Sequence, residues 1–506
     1  MKVGIDLGTT YSLISRLGPD GKPILIPDHS DKDIFATPSA AYITQGNAII
    51  GSLVDTLLEQ NPELPVLRFF KRKFGTGEPV YFDKSQNAWH AESLGALVLK
   101  KLQFDAESYT GSRIESAVIT VPAHFNDLQR KGVIHAAAMA DMPILGLVEE
   151  PVAAALHYGI THSTHGQVLL VYDLGGGTFD ATVLSLDDKG VYVLAKDGLT
   201  ELGGKEFDEC VAAFVLEQFE RTLGHTPELN AFTLLQLRRI SEEIKIELSL
   251  PNVTFLRKTV LLGYQAIDIT LNRKEFEKAI HESIEQTIAI TLRCLDAAGL
   301  KEKDIDALLL VGGSSMIPYI RERLRKLFPD QKQKIFFHEP MKAVAYGASL
   351  HASQLSGDAA QFNIPPEFKG ITGYNVGIKT LNPRTGRTEI DTLIKKNMPL
   401  PAKGSRTYYT HSDTQRKISL EVVQYLENSN DFIDIGTVTI GPIPNPRMNY
   451  AVEVTLSYTE DGVIRIAAFD PNTGVELEQE FGSSAGDDNM LLQQRKMVKG
   501  ININNL

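Results

Sequence analysis

The chain contains very little cysteine: two residues in 506, Cys210 and Cys294, far apart in sequence. That excludes a disulfide framework. Neither thiol sits in a metal-type cluster, so the pattern points to a reducing compartment, the cytoplasm. Long apolar runs are also missing. No stretch approaches the ~20 apolar residues needed to span a bilayer, and the first residues carry Asp6 inside a strand-like segment rather than a signal-type apolar region. Basic charge is in deficit, with 51 Lys and Arg against 63 Asp and Glu, a net charge of −12. Such a chain is neither a generic nucleic-acid binder nor a binder of anionic membranes. What remains, 43% hydrophobic and 23% charged residues, is the composition of an ordinary soluble globular protein. The length is too great for one core and suggests roughly three or four domain-sized units.

Against that background one stretch stands out, Val171-Tyr172-Asp173-Leu174-Gly175-Gly176-Gly177-Thr178-Phe179-Asp180. A buried strand leads into it from Gln167, and an alternating strand, Ala181 to Leu186, returns from it. Three glycines between the strands let backbone amides approach a bound group closely and allow φ > 0 without penalty. Consecutive inward amides make an anion-binding nest suited to phosphate. Asp173 and Asp180 would repel a bare phosphate, so they imply an intervening cation such as Mg²⁺. A lone Gly-Gly-Gly is as readily a bulged hairpin. Near the start, however, Val3-Gly4-Ile5-Asp6-Leu7-Gly8-Thr9-Thr10-Tyr11-Ser12 repeats the same grammar. Two such units predict two related lobes gripping one nucleotide.

Along the chain, Leu64 to Gly75 places Lys71, Arg72 and Lys73 between aromatics, ordinarily a solvated charge run. Helical patterning follows from Ala91 to Phe104. The strand Ser116–Val121 stops at Pro122, after which Asn126 or Asp127 can cap a helix. Ile144–Val148 is a short strand, and Glu149-Glu150-Pro151 leads into a helix. A second glycine-bearing loop, Gly198 to Gly204, precedes an amphipathic helix. Helices are expected over 234–248 and, as one element, over 273–298. The strand Ala307–Val311 ends in Gly312-Gly313-Ser314-Ser315, opening a helix at Ile317, a ready site for polar ligand atoms. Near residue 355 the character changes. Ser356-Gly357-Asp358 and Ile364-Pro365-Pro366 read as a linker, and from Gly373 onward period-two alternation with frequent turns predicts a β-domain. Residues 486–506 are polar, without a clear core face, and predict a short tail that is either a short helix or disordered.

These residues resemble the seventy-kilodalton heat-shock chaperone family (the DnaK type) of the actin-like ATPase superfamily. The resemblance rests on Gly4 to Thr10, Tyr172 to Asp180 and Leu310 to Ser314. Val121 to Asp127, Glu150 to Leu156 and Ala343 to Ala348 support it. It spans essentially the whole chain, more tightly over the first 355 residues. It implies an α/β actin-like ATPase domain of two RNase H-like lobes over 1–355, then a linker, 356–372. A β-sandwich peptide-binding domain over 373–485 and a short tail, 486–506, would follow. The implied activity is weak ATP hydrolysis that biases the binding of extended apolar peptides, so assisting folding.

Residue by residue, the resemblance implies that Gly8, Thr9, Thr10 and Tyr11 line the first phosphate loop and Gly175, Gly176, Gly177 and Thr178 the second. Gly203 and Gly204 would also bind the nucleotide. Asp6 and Asp173 would hold hydrated Mg²⁺, with K⁺ as a further cation. Lys71 would reach the γ-phosphate, Glu150 would orient water, Thr178 would contact the γ-phosphate, and Asp180 would help position the attacking water. Phosphoryl transfer needs charge neutralisation and in-line placement, which acids, one metal and one cation supply. Glu242, Lys245 and Ser249 match the ribose-and-base helix, and Gly312, Gly313 and Ser314 the facing loop. Met316 stands where the family has an arginine on the adenine face, and Met341 where an acid is common; a thioether still packs on adenine. Pro122 and Arg130 match an interdomain switch. Ile378, Thr380, Leu381, Tyr408, His411, Ile418 and Leu420 fall at peptide-channel positions.

Three departures stand out. The family's apolar linker run is replaced by Glu367-Phe368-Lys369-Gly370-Ile371-Thr372-Gly373-Tyr374. The long helical lid is nearly absent, which predicts fast peptide release. Gly146 replaces an arginine used with J-domain partners, which argues against that coupling, although a J-domain protein and a nucleotide exchange factor are the co-chaperones implied. Two rival functions are a nucleotide-gated module for one dedicated partner and an actin-like metabolite kinase. Neither nucleic acid nor membrane is an expected partner.

Overall fold

The computed structural model describes residues 1–162, 166–329, 335–336, 339–358, 364, 367–381, 385–426, 432–443, 445–480 and 485–503, excepting the side chains of 476–480 and 485–488. Two sheets share one connectivity. In the first, Lys2–Asp6 pairs antiparallel with Tyr11–Leu17, which pairs with Pro23–Leu25, while Ser116–Val121 and Ile144–Glu149 add parallel on the other side. In the second, Gln167–Leu174, Phe179–Leu186 and Gly190–Leu199 form the meander, and Ala307–Val311 and Ile335–Phe336 the parallel extension. The repeat read from the two Asp-Leu-Gly turns is therefore a repeat of five strands in the same order. Strands flanked on both faces by helices must be apolar throughout, and Ala307–Val311 and Ser116–Val121 are buried almost from end to end.

Helix boundaries follow local chemistry. Asn126 caps Asp127–Met139 by accepting from Gln129 N, and Gln129 returns a bond to the Asn126 amide, a reciprocal capping box. The single helix expected over 273–298 is two, Arg273–Ala279 and His281–Ala297, broken at Ile280. The helix after Ala307–Val311 begins at Pro318, because Gly313–Met316 forms a 3-10 turn first. Proline suits that start, its missing N–H falling where no helical partner exists.

From Asn375 the chain builds two four-stranded sheets packed face to face. Their shared core includes Val376, Ile378, Ile418, Leu420, Val422, Val454, Leu456 and Ile466. This sandwich docks on the rest of the chain. Asp127 N donates to Gln424 Oε1 (3.0 Å), Asp127 Oδ1 accepts from Ile464 N (2.6 Å), and Tyr374 OH donates to His124 O (2.8 Å). Leu147 N donates to Asp461 Oδ1 (2.9 Å), beside Gly146, whose missing Cβ leaves room for that carboxylate.

Two expectations change here. The stretch at 367–374 lacks an apolar run, yet Glu367–Lys369 adds as a parallel edge strand to Gly190–Leu199 of the second sheet. Main-chain pairing needs no apolar side chains, and of this stretch Phe368 packs against the core beneath while Ile371 is buried in it. Of the Pro-bearing stretch 364–366, only Ile364 lies among the described residues. The C-terminal segment is also not a coreless tail. Ala485–Lys499 is a helix packed on Ala91–Thr110 and Asp127–Met139, and its Val498, together with Ile501 beyond it, is buried in the first-lobe core. Asn502–Ile503 then pairs parallel with Asn47–Ile50. Gln494 and Lys100 satisfy the carbonyls of Ala88, Val498 and Ile501. The polar face that hid this segment in sequence is its solvent side. Among the described residues no helix is long and apolar enough to cross a membrane.

Candidate functional site

The two Asp-Leu-Gly turns meet at the floor of a cleft of about 1140 Å³. Asp173 and Asp180 are direct cross-strand partners, and Gly175 N donates to Thr178 O (3.1 Å) to close the second turn. The turns touch: a Cβ on Gly176 would stand 2.1 Å from Thr10 Oγ1. Gly203 backs the same turn, where a Cβ would meet Gly177 N at 2.4 Å. Gly204 N and Lys205 N donate to Gly175 O and Gly176 O. The expected left-handed φ is absent from Gly175, Gly176 and Gly177. Glycine is demanded instead by close approach at Gly176 and, against the Arg72 guanidinium, at Gly177.

Asp6, Lys71, Glu150, Asp173 and Thr178 all line this cleft, as do Gly8, Thr9, Thr10, Tyr11, Gly175, Gly176, Gly204, Glu242, Lys245, Ser249, Gly312, Gly313 and Ser314. Gly177, Gly203 and Asp180 stand behind its wall. Lys71 is buried on a 3-10 turn, 2.8 Å from Glu150 Oε1 and 5.5 Å from the centre of the Phe125 ring. Asp6 accepts from Thr120 Oγ1 (3.1 Å). Burial, then Glu150, push Asp6 up to about 7, while Lys71 and the Thr120 bond pull the other way. Asp173 is driven well above its ordinary value by burial first, then by Glu150, Asp180 and Asp6. Burial and like charge thus disfavour the ionised forms of Asp6 and Asp173, and a cation bound beside them would favour those forms. Thr10 Oγ1 is buried there without a partner, which also fits a ligand's arrival. Among the described residues no three His, Cys, Asp or Glu side chains are grouped to hold a bare metal ion.

At the other end, Lys245 pairs with Asp208 (2.7 Å) and donates to Gly204 O (3.3 Å), while Ser314 Oγ donates to Gly175 O (2.8 Å). Ser249 turns its hydroxyl onto Lys245 O within its own helix. Met316 and Met341 are half exposed and line the same end.

Other candidates lie apart. Asp180 is buried and accepts from, or shares a proton with, His124 Nδ1 (2.5 Å). Pro122 ends its strand, and Arg130 lies under the docked sandwich. Ile378, Ile418 and Leu420 sit inside the sandwich core, the ordinary place for alternating strand residues. Tyr408 packs beside them and bonds Asp391 Oδ2 (3.0 Å), and Thr380 Oγ1 donates to Glu389 O (3.3 Å). Leu381 and His411 are exposed. Sequence reasoning passed over His124, Thr120, Asp208 and the bidentate Arg72–Glu206 pair, which joins the Phe70–Lys73 turn to helix Gly204–Leu223 at 2.8 and 3.0 Å. Adjacency to Lys71 and Gly204 was the available signal for that pair.

Comparison with known families agrees in extent. The family model described as Hsp70 protein matches residues 2–501. The chain belongs to the Hsp70 family, whose members are ATP-dependent chaperones that pair an actin-like ATPase with a β-sandwich, bind ATP or ADP with Mg²⁺, and work on unfolded peptides alongside co-chaperones.

Proposed function

We propose that this chain hydrolyses ATP in the cleft between its two six-stranded sheets, and that the nucleotide held there biases how its sandwich grips extended apolar peptide. The observation that carries the reading is the acid cluster Asp6, Glu150 and Asp173 around a single buried Lys71, at the meeting point of two glycine–threonine turns. In this reading residues 1–355 are the ATPase unit, 356–372 the linker, 373–485 the peptide-binding unit and 486–506 a terminal segment.

Asp6 and Asp173 would hold Mg²⁺ through water, and K⁺ would serve as a further counter-ion. The metal supplies neutralisation of phosphate charge. The backbone of Gly8 to Tyr11 and of Gly175 to Thr178 cradles the phosphates from the two lobes, with Gly203 and Gly204 keeping the second turn closed. Lys71 supplies one positive charge at the γ-phosphate. Glu150 holds that ammonium and accepts from water, Thr178 donates to the γ-phosphate, and Asp180, fixed by His124, orients the attacking water. Glu242, Lys245, Ser249, Gly312, Gly313 and Ser314 take the ribose and base, with Met316 and Met341 against adenine.

On the sandwich, Leu381, Tyr408 and His411 meet peptide directly, Thr380 lends a hydroxyl, and Ile378, Ile418 and Leu420 support the channel from beneath. Pro122 and Arg130 carry the signal between the units. A coupling of ~1–3 kcal/mol is the usual scale. Exchange factors fit this cycle. J-domain stimulation fits it less well, because Gly146 is covered by the Asp461 loop in the docked arrangement. The decisive measurement is ATP turnover with and without peptide, a J-domain protein and EDTA, together with fluorescent-peptide release in ATP and in ADP. Chelation should stop turnover, and ATP should speed release. Equal release rates in the two nucleotides would remove the coupling, and turnover unaffected by EDTA would remove the metal.

A further inference from the structure

Beneath the docked sandwich lies a buried charge cluster that the cleft chemistry does not use. Glu149, at the end of strand Ile144–Glu149, is 4% exposed; Lys196, on strand Gly190–Leu199, is 3% exposed; Arg130 is 5% exposed. One carboxylate oxygen, Glu149 Oε1, accepts from both cations, Arg130 Nη2 at 2.6 Å and Lys196 Nζ at 2.5 Å. Glu149 belongs to the first sheet and Lys196 to the second, so this pair ties the two lobes together directly.

The sandwich completes the cluster. Arg130 Nη1 donates to Asp461 O (3.2 Å), and its other nitrogens are taken by Phe125 O and Ala123 O. Gly462 lies flat on the guanidinium: a Cβ there would stand 3.1 Å from it, and its φ of +73° belongs to the left-handed region that glycine tolerates. Around the Lys196 stem, Ile371, Thr372, Gly373 and Tyr374 shut out solvent, leaving only a residual void of about 10 Å³. These residues belong to the connection that begins with the docked strand Glu367–Lys369.

We propose that Glu149 and Lys196 are positioning residues, an interlobe lock that the docked sandwich closes through Arg130 and that sets the placement of Glu150. The proposal rests on the reading of the cleft as an ATPase coupled to the sandwich. Its reach follows from the chain: Glu150 is the next residue after Glu149, and it holds Lys71 at 2.8 Å. A shift at the strand end therefore moves the acid and the ammonium together, and small displacements at a reacting centre have large effects on rate. Docking also sets the lock's strength. With the sandwich seated, Glu149 attracts Arg130 and Lys196 in a dry site where that attraction is strong, against the repulsion of the two cations for each other. Glu149 Oε2 is buried there without a partner. When the sandwich leaves, Arg130 loses the Asp461 carbonyl, water reaches Glu149 and Lys196, and the pair weakens. Burial is the main influence pulling the Lys196 ammonium down from its ordinary value, and Glu149 chiefly opposes it.

The test uses the full chain with Lys196→Met, Lys196→Arg and the charge-balanced double variant Glu149→Gln/Lys196→Met. Steady-state ATP turnover, peptide release in ATP and in ADP, and hydrogen exchange of residues 367–369 in both nucleotides are compared with wild type. For Lys196→Met and for the double variant, kcat should fall tenfold or more while KM for ATP stays within threefold. The ATP-to-ADP ratio of release rates should collapse toward one, as should the nucleotide difference in exchange. Lys196→Arg should restore both. If Lys196→Met fails to fold, the double variant, which keeps the net charge of the cluster and leaves an amide oxygen to accept from Arg130, carries the test. Wild-type kcat and nucleotide response in the variant that folds overturn the proposal, as does failure of arginine to restore them. A wild-type protein without turnover or nucleotide response overturns instead the reading on which the proposal stands.

Discussion

Lys71 Nζ stands 2.8 Å from Glu150 Oε1, both side chains nearly removed from solvent, in the cleft that Asp6 and Asp173 also line. A surface pair at that distance would contribute little. Here the lysine lowers the pKa of both neighbouring acids.

Lys71→Ala should therefore abolish measurable steady-state phosphate release, a loss on the order of 10²–10³ in kcat if Lys71 stabilises developing charge. Nucleotide binding, read by fluorescence titration, should survive, since the loops and the Lys245 end are untouched. Undiminished release would take Lys71 out of the reaction.

Gly203→Ala probes the packing that holds the second turn. The backbone there is extended, with φ of 177°, so alanine meets no conformational barrier; the obstacle is Gly177 N at 2.4 Å. Overpacking of this kind costs about 1–3 kcal/mol. Nucleotide affinity should fall by roughly tenfold or more, at about 1.4 kcal/mol per decade. A variant that binds like wild type would show that the turn can shift without consequence.

His351 lies buried against the docked strand, its ring edge-on to Phe368 at 5.6 Å and its Nδ1 2.7 Å from Gln354 Oε1. Burial, the largest influence, pulls its pKa below the ordinary value, against the raising effects of Gln354, Asp461 and Glu460. A depressed folded-state pKa means that stability is fully present above about 6.5 and declines as pH falls toward the folded value, by up to about 1.4 kcal/mol per pH unit. Protection of residues 367–369 from hydrogen exchange should weaken on acidification from pH 7 to 5.5. In His351→Leu that decline should be smaller; an identical decline would assign the effect to other groups.

Val498→Ala tests the C-terminal helix. Two methyl groups leave a fully buried site, and at ~0.8 kcal/mol each plus a cavity contribution the expected loss is about 2 kcal/mol. Urea denaturation should show it, with amide exchange of residues 47–50 accelerated where Asn502–Ile503 pairs. An unchanged midpoint would mean that the segment contributes nothing to the first lobe.

Much of the secondary structure was legible. Ser116–Val121 and Ala307–Val311 appear at the residues their apolar runs mark, because a strand buried on both faces has no other way to be written. The Asn126 cap was legible for a similar reason, a side-chain oxygen satisfying an orphan amide locally. Less legible were elements whose partners are distant in the chain. Lys196 is a lone lysine in an apolar strand, and only its contact with Glu149, 47 residues earlier, gives it a meaning. The Glu367–Lys369 strand has no pattern of its own, since its hydrogen bonds are made by backbone.

By itself the sequence determined that two strand–turn–strand units carry an acid and a hydroxyl beside glycine, because those residue types are the short-range requirement for a tight turn next to charge. The tertiary structure decided which charges share one dry space. Desolvation depends on what every other element covers, and no local pattern encodes that. It decided as well that the last helix belongs to the first lobe, where Val498 fills a space shaped by residues some four hundred positions away.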